Sequence, residues 1–512
     1  MTNNTLTGRA LASLALMAAL TGTQARIAIA QNPGSMYVGS DSVVVVPGEV
    51  FEAGDLQRWL LGDNYRAEWT TPIKVPVLDL KNFHGGLKPT KIGGGAQTIS
   101  LRFDAGDGSK WVFRSVRKRL GILSSQYNGT IIYYIVRDEG SASHPLGFLA
   151  ADPIQTQSGV LHPTPAVAVM PDDPSLGEFR KQFAGMLGDF EERPDTPKKG
   201  RGFAGALEII GSDTLLDRIN ADATTQVDAR RLLTAVEMDM LIGDNDRHPD
   251  QWKWAHFAQD DAAPWEPIAT DRDKAFVSYG GVLMSIARLA LPNLVTFGNK
   301  YPDPQALFSN ADEFDRRMLQ SFDRSVWDSV ANDLMERITN PIIDEAVAKL
   351  PPPYASGSRA LAAKLIARRD GLRGEADRYY KELWRVADIH GTDADDQVTV
   401  NRVADGVVDV WIQAGSGPPY FSRRFVSGET KEIRIYLHGG NDRATVQGNV
   451  SRSIPVRIIG GNGTNTFSDL STVGGRRNPT RFYDVGTVTN VKYARDTVDE
   501  RINIDNAFNH YF

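Results

Sequence analysis

Leu241-Ile-Gly-Asp-Asn-Asp-Arg-His-Pro-Asp-Gln-Trp252, followed by Ile268-Ala-Thr-Asp-Arg-Asp-Lys-Ala-Phe276, decides how this chain folds. Asp244, Asp246, Asp250, Asp271 and Asp273 fall in two short polar runs, each next to apolar stretches. An uncompensated carboxylate at the edge of a core is costly, so acids confined to such places usually bind or react with something. Upstream, Gln226 to Ile242 carries Val227, Leu232, Leu233, Val236, Met240 and Leu241 near helical spacing, and Gly243 ends the pattern. Between the two runs, Trp252 to Phe257 and Trp265 to Ala269 predict a short hairpin. The order is therefore helix, Asp-Arg-His loop, hairpin, Asp-x-Asp.

Toward the N-terminus the texture is β-rich. Val43 to Val46, Val75 to Leu80, Gln97 to Phe103, Lys110 to Val116 and Ala166 to Met170 are expected strands. Asp104-Ala-Gly-Asp-Gly108 turns Gln97–Phe103 back into Lys110–Val116 as a hairpin. Asp55 to Leu61 and Pro145 to Gly159 are expected helices. Toward the C-terminus, Pro302 to Asp388 is helical throughout, with Pro351-Pro-Pro353 as a break and Leu361 to Trp384 as the longest run. Residues 389–470 then alternate in short β-patterned runs. Gly439-Gly-Asn-Asp-Arg-Ala-Thr-Val446 and Gly460-Gly-Asn-Gly-Thr-Asn-Thr-Phe467 read as one repeat at a spacing of 21 residues. The expected fold class is α+β: a bilobal domain with a β-rich N-lobe and a helical C-lobe, then a small all-β solenoid or sandwich. The boundaries are a signal segment at 1–30, a lead-in at 31–75, the bilobal domain at 76–388, β repeats at 389–480 and a tail at 481–512.

Bulk properties narrow the function. The 512 residues are 41% hydrophobic, enough to bury a core. A net charge of -6 disfavours nucleic acid as a partner, since that binding wants a basic surface. Residues 1–30 read as an export signal: Arg9, an apolar run from Ala10 to Leu20, and an Ala28-Ile-Ala30 cleavage site. An exported, periplasmic or cell-envelope location is expected, and no run is long enough for a transmembrane helix. With no cysteine and eight histidines spread widely, any metal must be held by oxygen and nitrogen ligands.

Phosphoryl transfer fits this residue set. It needs a carboxylate to orient a hydroxyl, oxygens to hold a divalent metal, and cations on the phosphates. Asp246 sits on a loop just past a buried helix, where a base is rigidly held yet accessible. Gln251 offers an amide oxygen five residues on, and Asp271 follows the hairpin; a hard cation accepts such an oxygen-only set. Asp246-Arg247-His248 with Gln251 resembles the Asp-Arg-His-x-x-Asn catalytic loop of atypical kinases: the phosphatidylinositol, HipA-type, secretory-pathway and CotH-type kinases. The resemblance implies Asp246, Arg247 and His248 as catalytic residues. It makes Asp271, five residues before Phe276, the main ligand of Mg2+ or Mn2+, Asp273 a second ligand and Gln251 a helper, with ATP as cofactor. Gln251 stands where those families have Asn.

A second resemblance is to exported bacterial proteins with an Asp-x-Asp-Arg-His-x-Asp-Gln-Trp segment, some joined to an outer-membrane barrel or a phosphoesterase domain. Phe113-Arg-Ser-Val116, Leu161-His-Pro163 and Asp172-Asp-Pro-Ser-Leu-Gly-Glu-Phe179 share it, over most of residues 60–480.

In the N-lobe, Gly93-Gly94-Gly95 either lets backbone N–H groups approach phosphates or forms a plain turn. Arg114 and Lys118 are the expected phosphate-pairing cations, with Asp138 or Glu139 as their counter-ion. Two other functions compete. Gly243-Asp-Asn-Asp-Arg247 resembles a phosphoesterase segment but is one residue short and lacks the histidines that two-metal hydrolysis needs. The β repeats suit a non-catalytic surface or assembly module. They resemble Gly-Gly-x-Gly-x-Asp calcium turns, yet only Asp442 holds a suitable slot and Asn465 replaces the acid in the second copy, which favours structural turns over calcium. The acceptor (protein, sugar or lipid hydroxyl, or an AMP-accepting side chain) and any outer-membrane association stay open.

Overall fold

The computed structural model describes residues 41–94, 98–118, 138–196, 202–258, 263–289, 291, 294–474, 479–484, 490–494 and 497–499. The signal segment, Gly95 and the C-terminal Phe508–Phe512 lie outside the described residues. Among those described, no helix is long and apolar enough to cross a membrane. The architecture is α+β: a β-rich lobe, a helical lobe and a C-terminal β-stack.

The first lobe is a five-stranded antiparallel sheet of β1 (Leu87–Gly93), β2 (Ser100–Ala105), β3 (Lys110–Ser115), β4 (Ala166–Val169) and β5 (Leu187–Glu192). The spatial order is β1-β2-β3-β5-β4. Strand alternation sorts the side chains into two faces. Phe103, Trp111, Phe113 and Phe190 go into the lobe's own core. Arg114 pairs across strands with Asp189, and Glu191 lies two residues along the same face. That face looks toward the second lobe. A ribbon of Ser42–Val45 with Ile73–Pro76 flanks the sheet, joined through Leu78 N–H donating to the Val169 carbonyl at 3.0 Å.

The helical lobe is built around α3 (Ala229–Ile242), with α1 (Gly147–Ser158) and α2 (Ser212–Ala221) before it in the chain. Ten of the fourteen residues of α3 are buried, which is why its apolar pattern is legible. Asp228 caps its N-terminus by accepting from the Arg231 N–H at 2.9 Å. Gly243 ends it at φ 67°, and a Cβ there would lie 2.7 Å from the Phe297 ring, so both backbone and space require glycine. Later helices α4 (Asp312–Met318), α5 (Arg324–Arg337), α6 (Asn340–Ala348) and the 30-residue α7 (Ala355–Trp384) close the lobe. Arg368 of α7 is buried and donates to the Leu241 carbonyl at 2.9 Å, satisfying an end carbonyl of α3 with a cation. A small sheet, ordered β8-β7-β6 from β6 (Glu208–Gly211), β7 (Trp252–His256) and β8 (Glu266–Ala269), carries the two acidic loops.

The β-stack begins directly after α7. One sheet is β9 (Val386–His390), β13 (Glu432–Tyr436), β15 (Val456–Ile459), β17 (Thr480–Tyr483) and β19 (Thr497–Asp499), all parallel. The other stacks β10 (Asp396–Ala404), β14 (Arg443–Gln447), β16 (Thr466–Asp469) and β18 (Asn490–Lys492) in parallel, edged by the antiparallel β11 (Val407–Ala414) and β12 (Pro419–Val426). The chain alternates between the two sheets as it winds, which makes a short solenoid.

Ile433 pairs with Val456 and Arg443 with Thr466, so these two turns are 23 residues apart rather than the expected 21, and Val456 with Thr480 puts the next 24 on. The Gly-Gly-Asn motif misleads because the second turn holds two extra residues: Gly463, not Gly461, stacks on Gly440. Side-chain amides and acids join the turns. Asp442 Oδ1 accepts from Asp396 N–H at 2.9 Å, Asn465 Oδ1 from Asp442 N–H at 3.0 Å, and Asn465 Nδ2 donates to Asp484 at 3.1 Å.

Candidate functional site between the lobes

A cavity of about 590 Å³, its open mouth included, lies where Arg114 and Asp189 of the sheet face Asp271, Arg272 and Asp273 after β8. Only about 40 Å³ of it admits a water-sized sphere, so the ion pairs of Arg114 and Lys118 with acids nearly close it. Phe51, Trp69, His144 and Phe148 supply apolar wall. Burial pushes the His144 imidazole down to about 3, so it is neutral, and its Nδ1 accepts from the Leu146 N–H at 3.1 Å.

The loops holding the acids are fixed from behind. Arg247 is buried at 3% exposure. It donates to Gln251 Oε1 and to the Thr270 carbonyl, each at 2.8 Å, and its Nε lies 3.1 Å from Asp239 of α3. Its guanidinium also stacks 4.4 Å from the Trp252 ring. Arg272 reaches Asp239, Asp244 at 3.1 Å and Gln155 at 2.8 Å. The network Asp239–Asp244–Arg247–Arg272 ties α3, the Asp-Arg-His loop and the loop after β8 into one unit. Burial raises Asp239 to about 6 even against the two guanidiniums beside it.

Several sequence assignments change as a result. Arg247 faces the interior and acts as a strut. Gln251 is also buried, and the amide oxygen assigned to a metal accepts from Arg247 instead. His248 points outward, half-buried at 40% side-chain exposure, 3.9 Å from Asp250. Asp246 also stays near the surface, with Asn310 Nδ2 donating to it at a long 3.3 Å. Burial, then Asp244 and Asp273, raise its carboxyl against Lys274 and His248.

Asp271 has φ 58° and Phe276 φ 65°, left-handed positions that cost a non-glycine residue energy. The loop is pinned at both ends: Thr270 Oγ1 donates to the Gln251 carbonyl at 2.8 Å, and Phe276 N–H to the Ile242 carbonyl at 2.9 Å. Such held-in strain concentrates at functional sites. Burial and then Asp273 push Asp271 up to about 6, opposed by Arg114 and Lys118. Asp273 goes the other way: burial would raise it, but Lys118, with its ion pair at 2.6 Å, and Lys274 and Arg114 together bring it below the usual range.

Arg114 is held by Glu191 and lies 3.8 Å from Asp189. Burial and Glu191 push Asp189 well above the ordinary range, and its buried Oδ1 has no hydrogen-bond partner among the described residues. Asp189 and Glu191 were missed from sequence, although Asp-Phe-Glu on a strand places two acids on one face and Phe190 on the other. Asp138 is not the counter-ion of these cations, since it pairs with Arg66, at 2.9 Å, and Gln57. Gly93 and Gly94 do not line the cavity. Gly94 has φ 114°, and a Cβ there would lie 1.9 Å from the Thr98 carbonyl oxygen, which accounts for it as a turn glycine.

Among the described residues no three acids or histidines are arranged to hold a metal. Asp271 and Asp273 provide two carboxylates, each raising the other's proton affinity or relying on Lys118 to be charged. Magnesium commonly takes one or two carboxylates and completes its shell with water and substrate phosphates, so this donor set fits such an ion.

No family model matches the chain, and no curated protein matches it significantly. It is similar to the solved Helicobacter pylori proinflammatory kinase CtkA at 10% identity and TM-score 0.32, over 58% of this chain and 95% of that one. It is similar to HipA of the Shewanella oneidensis MR-1 toxin–antitoxin complex at 12% identity and TM-score 0.31, over 68% and 76%. The Golgi casein kinase matches at 12% identity and TM-score 0.28, over 58% and 75%. Superpositions this loose carry no weight, so the functional reading rests on the site.

Proposed function

We propose that the interlobar cavity is the nucleotide-phosphate site of an exported, atypical kinase-like phosphotransferase. The observation that carries this is the opposition of Arg114 and Lys118 on one lobe to the strained, proton-hungry Asp271 and its neighbour Asp273 on the other. Asp271 and Asp273 would hold Mg2+ or Mn2+, which when bound would neutralise phosphate charge. Arg114 is half-buried and always charged, suited to a fixed phosphate contact. Lys118 is bonded to Asp273 and would exchange that carboxylate for phosphate oxygen as ATP enters. Asp246, accessible and raised by burial, would orient an acceptor hydroxyl and take its proton as the new O–P bond forms and the bond to the leaving diphosphate breaks. The acceptor class, a protein, sugar or lipid hydroxyl, is not fixed by these residues.

A second reading is a non-catalytic module on the same frame. It is favoured by the engagement of Gln251 by Arg247 and of both cavity cations by acids. Calorimetry of the full chain with ATP, with and without Mg2+ or Mn2+, separates the two. Metal-dependent binding that Asp271→Asn abolishes supports the first reading, and no binding with either metal leaves the scaffold reading. Transfer surviving in Asp246→Asn would remove Asp246 from its role.

A further inference from the structure

A second and larger cavity, about 1180 Å³ with its mouth included, lies where the helical lobe meets the β-stack. Its walls come from the α2–α3 connection, the end of α4, the end of β9 and the start of β12. None of these residues belongs to the interlobar site.

The charges around it are unbalanced. Arg317 and Arg230 both line it. Among the described residues neither has a carboxylate within ion-pair distance: Arg317 donates to the Asn220 side-chain oxygen, and Arg230 to Ser329 Oγ at 3.1 Å. The Arg317 Nε is buried and has no hydrogen-bond partner among the described residues. Asp393 and Glu313 are the acids that act on Arg317, but only through space. The acid lining the cavity, Asp228, is already committed as the α3 cap and to Arg231 at 3.1 Å. A guanidinium at a cavity wall with no carboxylate beside it is suited to an anionic ligand oxygen.

The remaining surface selects the ligand body. His390 is held neutral by burial and by Arg317, and its ring nitrogen lies 3.0 Å from that of His438. With a cation already beside the pair, a metal ion is disfavoured there. Gln320 is fixed in place by accepting from the His390 N–H at 2.8 Å. The Thr225 hydroxyl and the Gln226 amide oxygen offer hydrogen bonds, while Met318, Phe322 and Phe421 offer an apolar side. A planar fork matches a carboxylate, and the mixed wall matches a hydroxylated carbon skeleton.

We propose that this cavity binds a small hydroxylated carboxylate of the sugar-acid type, with Arg317 on the carboxylate. The proposal is independent of nucleotide binding between the lobes.

The test is calorimetry of the full chain with D-glucuronate, D-glucose and inorganic phosphate. Glucuronate is expected to bind at least tenfold tighter than glucose, and Arg317→Gln to weaken it at least tenfold. Amide hydrogen exchange on the unaltered chain keeps the result interpretable if that variant folds poorly: protection is expected over 223–230, 317–322 and 390–392. No binding of glucuronate, equal binding of glucose, tighter binding of phosphate, protection elsewhere, or competition by ATP would each overturn the proposal.

Discussion

Replacing Arg247 by methionine tests whether the Asp-Arg-His run is held by its own middle residue. The side chain has five engagements: Gln251, the Thr270 carbonyl, the Asp271 carbonyl at a long 3.4 Å, Asp239 and the Trp252 ring. Methionine keeps the packing volume and loses all the polar ones. Asp239, at 1% exposure, then depends on Arg272 alone. Breaking a buried charge pair from one side costs about 3–5 kcal/mol. Two buried acceptors lose donors at about 1–3 kcal/mol each, but they share the same guanidinium, so the costs do not simply add. A net loss of about 3–5 kcal/mol is expected. Urea unfolding followed by tryptophan fluorescence measures it, since Trp252 and Trp254 lie in this unit. The control is Asp246→Asn, whose carboxylate accepts, among the described residues, from Asn310 at 3.3 Å, and a change within about 0.5 kcal/mol is expected there. A loss below about 1 kcal/mol for Arg247→Met, with unchanged slope, would refute the strut and return Arg247 to the candidate catalytic residues.

Three further outcomes follow from the same structure. Metal-dependent ATP affinity should fall as pH drops through about 6, because Asp271 takes up a proton there; calorimetry at pH 5 and pH 7.5 showing equal affinity would remove Asp271 from the ligand set. Burial raises Asp315 to about 8, against the Tyr379 hydroxyl that donates to it at 2.9 Å. A raised carboxyl favours the fold while protonated, so its contribution is fully present below the unfolded pKa near 4 and is lost as pH rises through about 8. Asp315→Asn should therefore melt higher than the unaltered chain at pH 9 and show little difference at pH 5, and the reverse order would refute the burial argument. In the β-stack, Asp442 is raised to about 8 mainly by burial and uses Oδ1 to accept from Asp396. Asp442→Asn keeps that acceptor and matches Asn465 one turn on, so the melting temperature at pH 9 should rise; a fall would show that the charged form is needed.

What could be read from the sequence depended on the kind of signal. Asp55–Leu61 is helical with the expected limits, and α3 ends at Gly243 as its pattern requires. These are local signals of periodicity and capping. The strands Leu187–Glu192 and Glu208–Gly211 were missed, because in Asp-Phe-Glu-Glu and Glu-Ile-Ile-Gly the charges hide the alternation until the partner strand is known. At the site, the two acidic loops were visible as composition, but which polar residue turns inward was not. Arg247 and Gln251 differ from Asp246 only in what packs behind them, and that depends on Asp239 and Arg272, contributed by the preceding helix and the loop after β8. The repeat offset failed for a related reason: glycine and asparagine recur within a single turn, and only the strand pairing fixes which copies stack.

The ladder from Asp396 through Asp442 and Asn465 to Asp484 gives the β-stack a direction. The Asp396 and Asp442 backbone N–H groups are each completed by a side chain from the turn after them, so those turns are finished only when their successors have arrived. Growth from the helical lobe outward therefore leaves one unsatisfied donor at the advancing end. Loss of an outer turn reopens the one beneath it. The stack behaves as a zipper whose closed end is the last residue of α7 and whose weak end is distal, and a cut near Thr480 would be felt as lost protection inward through Asn465 and Asp442 before it reached β9.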